Sequence, residues 1–207
     1  MVPEKKALRS TERDQARIQG LRDGYLSWAP DIEPSRWVFI DETGSNLAMA
    51  RTTGWGPKGE PVTDRVPRNY GMPITIIGAL TSDGLGAMMT IEGGTSGDVF
   101  VAYVEKVLVP ELREGDLVVM DNLGAHKDVR VRPLIEEVGA NVVYLPPYSP
   151  DLNPIELAWT KVKRWLRTAR ARTRDKLDEA LNYIMDLVTP TDALAWFRHC
   201  GYPAQEV

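Results

Sequence analysis

Leu117-Val118-Val119-Met120-Asp121-Asn122-Leu123-Gly124-Ala125-His126-Lys127 is the stretch on which the fold turns. Four apolar residues, two of them β-branched, are too few for a helix and read as a buried strand. That strand delivers an acid, Asp121, into a glycine-containing turn. A helix is predicted from about Lys127 to Val138, closed by Gly139, and Asn141 to Leu145 reads as the next strand. Two strands joined through a helix pair in parallel. Pro146 to Pro154 is stiff and irregular. A helix is expected to begin at Pro154, because proline suits the first helical position and Asn153 suits the cap.

Working outward toward the N-terminus, Trp37-Val38-Phe39-Ile40 is a second apolar run rich in β-formers. It ends on Asp41-Glu42-Thr43-Gly44, which reads as a turn, with Leu47 to Arg51 a candidate returning strand. Residues 52–73 are rich in glycine, proline and charge, and so predict a long loop of the kind that is often functional. Ile74 to Leu80 is a strand, Asp83-Gly84 a turn, and Ala87 to Ile91 its hairpin partner. Ser96 is a helix cap for a helix running to about Val109. Residues 8–28 read as helical through Ile18, Leu21, Tyr25 and Trp28, until Pro30 and Pro34 break the chain. Further helices are predicted over 175–188 and 191–199, separated by Pro190. The order of three strands, helix, strand, helix, strand, helix predicts an α/β fold. Its mixed five-stranded sheet is antiparallel over the first three strands and flanked by helices. The expected organisation is an N-terminal helical segment or linker over 1–34, a catalytic domain over 35–172, and a C-terminal helical extension packed on it over 173–207.

The 207 residues, 43% hydrophobic and 26% charged, are those of an ordinary globular protein. One cysteine, Cys200, excludes an internal disulfide, and two histidines, His126 and His199, support a zinc site poorly. The first thirty residues are charged and hold no apolar signal core. No apolar run reaches membrane-spanning length, so no membrane is expected. A reducing cytoplasm fits this cysteine usage. The net charge of −4 argues mildly against nucleic acid. Its distribution argues the other way: residues 157–174 carry Lys161, Lys163, Arg164, Arg167, Arg170, Arg172 and Arg174 with no acid among them.

Asp41 at the end of one strand, Asp121 at the end of another and Glu156 in the first turn of a helix occupy places where an α/β sheet displays chemistry. Carboxylates crowded together repel, so such a cluster signals a hard cation with oxygen ligands. Each acid also has an ordinary structural reading. Asp41 can be a turn residue with Glu42 as its rival. Asp121-Asn122 can be a turn or cap. Glu156 can close a capping box with Asn153, with Asp151 as its rival.

Three motifs narrow these choices. Phe39-Ile40-Asp41-Glu42-Thr43-Gly44, Met120-Asp121-Asn122-Leu123-Gly124-Ala125-His126-Lys127, and Leu145-Pro146-Pro147-Tyr148-Ser149-Pro150-Asp151-Leu152-Asn153-Pro154-Ile155-Glu156 resemble the bacterial insertion-sequence transposases of the mariner superfamily. The 34 residues between Asp121 and Glu156 match the bacterial branch of these DDE enzymes, and the likeness runs from about residue 35 to Tyr202. The resemblance implies a ribonuclease H-like fold with Asp41, Asp121 and Glu156 as catalytic metal ligands. It implies two Mg²⁺ ions per site, replaceable by Mn²⁺, and metal-dependent DNA cleavage followed by strand transfer at a TA step. The expected partners are double-stranded DNA at element ends and target, and a second copy of the chain in the DNA complex. The expected location is the bacterial cytoplasm, at the nucleoid. Full-length relatives carry N-terminal helix-turn-helix domains, whereas about 34 residues precede the first strand here. A separate helix-turn-helix subunit or upstream frame product is therefore a further expected partner. The rival functions are a non-autonomous DNA-binding or regulatory fragment and another ribonuclease H-like nuclease such as a junction resolvase.

Asn122 and His126 can contact phosphate or orient a metal ligand; the plain alternative for His126 is a helix-start residue open to solvent. Glu156, Thr160, Lys163 and Arg167 share one helix face, and Ile155, Trp159, Val162 and Leu166 share an adjacent core face. Lys161, Lys163, Arg164, Arg167 and Arg170 are the candidate DNA contacts. Trp55, Lys58, Arg65 and Arg68 in loop 52–73 can clasp DNA or a second subunit, or Trp55 can pack back on the domain. Cys200 and His199 read as structural.

Overall fold

The structure is a computed structural model that describes residues 10–204. Residues 1–9, including the start of the predicted N-terminal helix at residue 8, lie outside it. Five strands, β1 (Trp37–Ser45), β2 (Ile74–Thr81), β3 (Gly84–Glu92), β4 (Leu117–Met120) and β5 (Asn141–Tyr144), form one mixed sheet in the order β3-β2-β1-β4-β5. β1 pairs antiparallel with β2 and parallel with β4, while β2–β3 is a hairpin and β4–β5 is parallel.

Two expectations about β1 fail for one reason. Asp41 to Gly44 is not a turn, because β1 continues through it with Asp41 opposite Gly78 and Thr43 opposite Ile76. Leu47 to Arg51 is therefore not the returning strand; β2 fills that edge, and the Asn46 carboxamide accepts the Ala48 N–H to turn the chain out of the sheet.

The helices are α1 (Ala16–Leu26), α2 (Gly97–Tyr103), α3 (Val131–Glu136), α4 (Ile155–Ala169), α5 (Arg174–Leu187) and α6 (Pro190–His199). Ser96 caps α2 through the Val99 N–H at 3.3 Å, and the helix continues through a wider π turn to Leu108. α3 is shorter than predicted. Residues 125–127 make a separate tight turn, and the Asp128 carboxylate takes the Arg130 N–H before the helix begins. Gly139, at φ +79°, closes that region. Pro190 opens α6 behind a Thr189–Asp192 capping box.

Alternation along β1 sorts the core. Trp37 and Phe39 face α4, α5 and α6, whose Trp159, Ile184 and Phe197 are buried with them. Val38 and Ile40 face Phe100, Val104 and Ile135 from α2 and α3 on the other side. Phe39 meets the rings of Phe197 and Tyr202 at 5.2 and 5.0 Å, so the C-terminal helices share the core of the sheet. Gly78 sets how closely α4 can approach. A β-carbon there would stand 3.0 Å from the Trp159 ring, so glycine opposite Asp41 is what lets α4 lie close on the sheet. Among the described residues, no helix is long and apolar enough to cross a membrane.

Candidate active site

Asp41 follows Phe39 on the α4 side of β1 and is 8% exposed. Its carboxyl is pushed up to about 7, first by burial, then by the charge of Glu156 and, less, by Glu42 and Asp121. Asp121 lies two residues beyond Val119, so strand alternation carries it to the same face. Its Oδ1 accepts the Leu123 N–H at 2.9 Å and lies 2.7 Å from Nδ1 of His126. Among the described residues Oδ2 has no partner. Burial works to raise the Asp121 carboxyl, but His126 and the Leu123 N–H outweigh it and hold it below the usual range. Glu156 is exposed in the first turn of α4. The predicted capping box does not form: Asn153 makes no side-chain cap, and the helix is led by Pro154. The charge of the Glu156 carboxylate reaches Asp41. Asp151, the rival acid, is engaged elsewhere, 2.8 Å from Arg13 and 2.9 Å from Arg22.

The set Asp41, Asp121 and Glu156 is all oxygen, open to solvent at Glu156, and mutually repelling at Asp41. Those are the properties that a hard divalent cation relieves. Among the described residues, no group of three or more His, Cys, Asp or Glu side chains is drawn together closely enough to hold a metal ion. The charges of Glu156 and Asp121 nevertheless both reach the Asp41 carboxyl.

The solvent-open reading of His126 fails. Its ring is fully buried and lies on Phe100, with centroids 4.3 Å apart. Nε2 is 3.1 Å from Glu42 Oε2, and the backbone carbonyl accepts the Tyr144 hydroxyl at 2.9 Å. Burial lowers the affinity of the ring for a proton, but Asp121 and Glu42 outweigh it and raise His126 to about 9. Asn122 is exposed and donates to the Leu145 carbonyl at 2.7 Å, tying the end of β4 to the segment that leads into α4. Glu42, one residue from Asp41, points to the opposite face. Alternation in a strand through residue 42 is the signal that separates the two acids.

Residues 36–178 match the family model described as DDE superfamily endonuclease. The chain belongs to this family. It is similar to the transposable element Tcb1 transposase of Caenorhabditis briggsae, 25% identical over an alignment of 226 positions that spans 98% of this chain and 81% of the relative. It is also similar to the Tc1 transposase of Caenorhabditis elegans, 25% identical over 84% of this chain and 66% of the relative. Among solved structures, the pre-cleavage Mos1 transpososome superposes with a TM-score of 0.75 at 16% identity, over 97% of this chain. The Mos1 catalytic domain with Raltegravir and Mn gives 0.68 at 15% identity, over 94% of this chain and 90% of that one. The fold is therefore ribonuclease H-like. The chain spans 62% of the Mos1 chain in the transpososome.

In this member of the DDE superfamily the basic stripe of α4 divides by what its side chains touch. Lys161, one of the candidate DNA contacts, is held by Asp192 at 2.6 Å and by the Leu187 carbonyl at 2.8 Å. Arg172 donates to the carbonyls of Leu47 and Met49, and Arg174 holds Asp178. Lys163 is half-buried. Arg164, Arg167 and Arg170 instead line a groove of about 900 Å³ with Arg51 and Trp55, although Arg170 also pairs with Asp64 at 2.6 Å. Arg51 lies outside the basic run, and no pattern in the sequence marks it. Trp55 is fully exposed, so it does not pack back on the domain.

Proposed function

We propose that the chain is the catalytic part of a bacterial insertion-sequence transposase of the mariner superfamily, in which Asp41, Asp121 and Glu156 hold two Mg²⁺ ions, replaceable by Mn²⁺. The observation that carries this is the carboxyl of Asp41, raised first by burial, then by the charge of Glu156 and, less, by those of Glu42 and Asp121, acids that come from elements far apart in sequence. When bound, such cations supply charge neutralisation at a phosphate and acidify an attacking water or hydroxyl. The residues of the chain do the rest. Asp41 presents its oxygens from the middle of β1 and Asp121 from just beyond the end of the adjacent parallel strand β4, and Glu156 presents one from α4. Arg164, Arg167 and Arg51 bind backbone phosphates along the groove. Asn122 holds the segment that sets the position of Glu156.

On this reading the substrate is double-stranded DNA, first at element ends and then at the target, acted on by two copies of the chain in the bacterial nucleoid. A helix-turn-helix subunit or upstream product supplies end recognition. The working division of the chain is 1–34, 35–172 and 173–207. The similar Mos1 structures include a paired-end complex with a transposon end, a strand transfer complex, and complexes with Mn and with Mg. They support the assignment of DNA and of a divalent metal. The test is cleavage and joining of a plasmid carrying the element ends with Mg²⁺ or Mn²⁺. Wild-type chain is expected to give joined products and Asp121→Asn none; full activity in Asp121→Asn overturns the metal assignment.

A further inference from the structure

Glu42 is left out of the proposed metal set, yet it is held in a buried network that ends on it. Its Oε2 lies 3.1 Å from His126 Nε2, and the opposite ring nitrogen lies 2.7 Å from Asp121 Oδ1, an ion-pair contact outside hydrogen-bond geometry. The ring cannot swing: it is fully buried, it lies on Phe100, and Tyr144 holds the backbone beneath it. We infer that Glu42 is a positioning residue, which acts through the His126 ring to decide which oxygen of Asp121 faces the metal site. With Nε2 engaged by Glu42, Nδ1 is kept against Asp121 Oδ1. The Leu123 N–H falls on the same oxygen, so Oδ2 is the one turned toward Asp41 and Glu156.

A purely structural role accounts for Glu42 poorly. Its Oε1 is buried and makes no hydrogen bond among the described residues. A buried acid with an unsatisfied oxygen costs stability relative to an apolar residue of similar shape. What the pair Glu42–His126 supplies is orientation. A metal ligand held by an outer partner typically loses ten- to a hundredfold in metal affinity when that partner is removed.

The inference rests on Asp121 being a metal ligand, and its test keeps the two claims apart. Mn²⁺ alone is titrated calorimetrically into the full 207-residue chain and its variants. In parallel, the His126 ring N–H signals are followed by nuclear magnetic resonance. The chain has two histidines, and His199 is exposed, so slowly exchanging ring protons report His126. Glu42→Ala is expected to weaken Mn²⁺ binding about tenfold or more and to lose the protected Nε2–H signal. Glu42→Gln keeps an acceptor oxygen in place and is expected to recover most of both. Glu42→Asp keeps the charge but draws it back from the ring, and is expected to bind Mn²⁺ more weakly than Glu42→Gln. If Glu42→Ala does not fold, that last comparison decides, because a role in charge alone predicts the reverse order. Wild-type affinity in Glu42→Ala, with Asp121→Asn unable to bind, overturns the positioning role and leaves the metal site standing. Wild-type affinity in Asp121→Asn overturns the metal site itself.

Discussion

At the scale of single residues, the site is a set of displaced proton affinities, and these predict how the metal-free chain responds to pH. Asp41 sits at about 7 in the folded chain, against about 4 in an unfolded one. Between those values the folded state holds a proton that the unfolded state has released, so stability falls as pH rises from about 4 to about 7. His126 is raised from 6.5 to about 9. Its contribution is complete below the lower value and is lost as pH rises through the upper one. The two slopes have the same sign, so the melting temperature of metal-free protein should fall steadily from pH 5 to pH 9 in calorimetric scans. Asp41→Asn should flatten the acidic part of that fall. Mn²⁺ added at pH 7.5 should raise the melting temperature of wild type and leave that of Asp41→Asn unchanged. A metal-induced rise of equal size in both proteins would contradict the placement of Asp41.

At the scale of elements, the position of Glu156 depends on how closely α4 approaches the sheet, and that distance is set by Gly78. Gly78→Val should push Trp159 away, since the ring already lies within 3.0 Å of where a β-carbon would go. The expected cost is about 1–3 kcal/mol of stability, together with weaker Mn²⁺ binding, and denaturant titration and calorimetry measure the two effects. Gly78→Ala should show the same effects at smaller size.

The elements were also where the sequence was most and least readable. Leu117 to Met120 and Ile74 to Leu80 are uniform apolar runs, and a run of that length buried on both faces has few alternatives. Asp41 to Gly44 misled because acid, threonine and glycine are turn-formers locally. The antiparallel partner that keeps them extended lies more than thirty residues away, across an irregular loop. The capping box at Asn153 failed for a similar reason. Local chemistry favoured it, but Tyr202 and Arg22, both distant in sequence, hold the turn that enters α4. Asp41, Asp121 and Glu156 could be found as motifs. The Glu42–His126 contact could not, because it needs the register of β1 and the path of the turn after β4 together.

At the scale of the whole molecule, a net charge of −4 coexists with a cationic groove, because the acids are spent elsewhere. Asp151 and Asp192 neutralise Arg22 and Lys161 inside the fold, while Arg51, Arg164 and Arg167 remain at the groove. Replacing Arg164 and Arg167 together by alanine should weaken duplex binding for any sequence. It should also reduce the slope of log affinity against log salt by about 2, read by fluorescence anisotropy at several salt concentrations. An unchanged slope would remove the groove from the DNA path.

Tyr25 of α1 donates to the Tyr202 hydroxyl at 2.7 Å, and Tyr202 donates to the Leu152 carbonyl at 2.7 Å. Beside them, Arg13 and Arg22 grip Asp151. Asp151→Ala would leave Arg22 buried without its charge partner, at a cost of about 2 kcal/mol, tempered by the half-exposed setting of the acid. Amide hydrogen exchange should then quicken over residues 146–156 more than over the sheet. Mechanically, α1 is a lever whose short arm is the turn before Glu156. A tug or a twist applied at the N-terminal end of that helix is delivered four residues from Glu156, the acid proposed to act in catalysis, with no need to deform the sheet on the way.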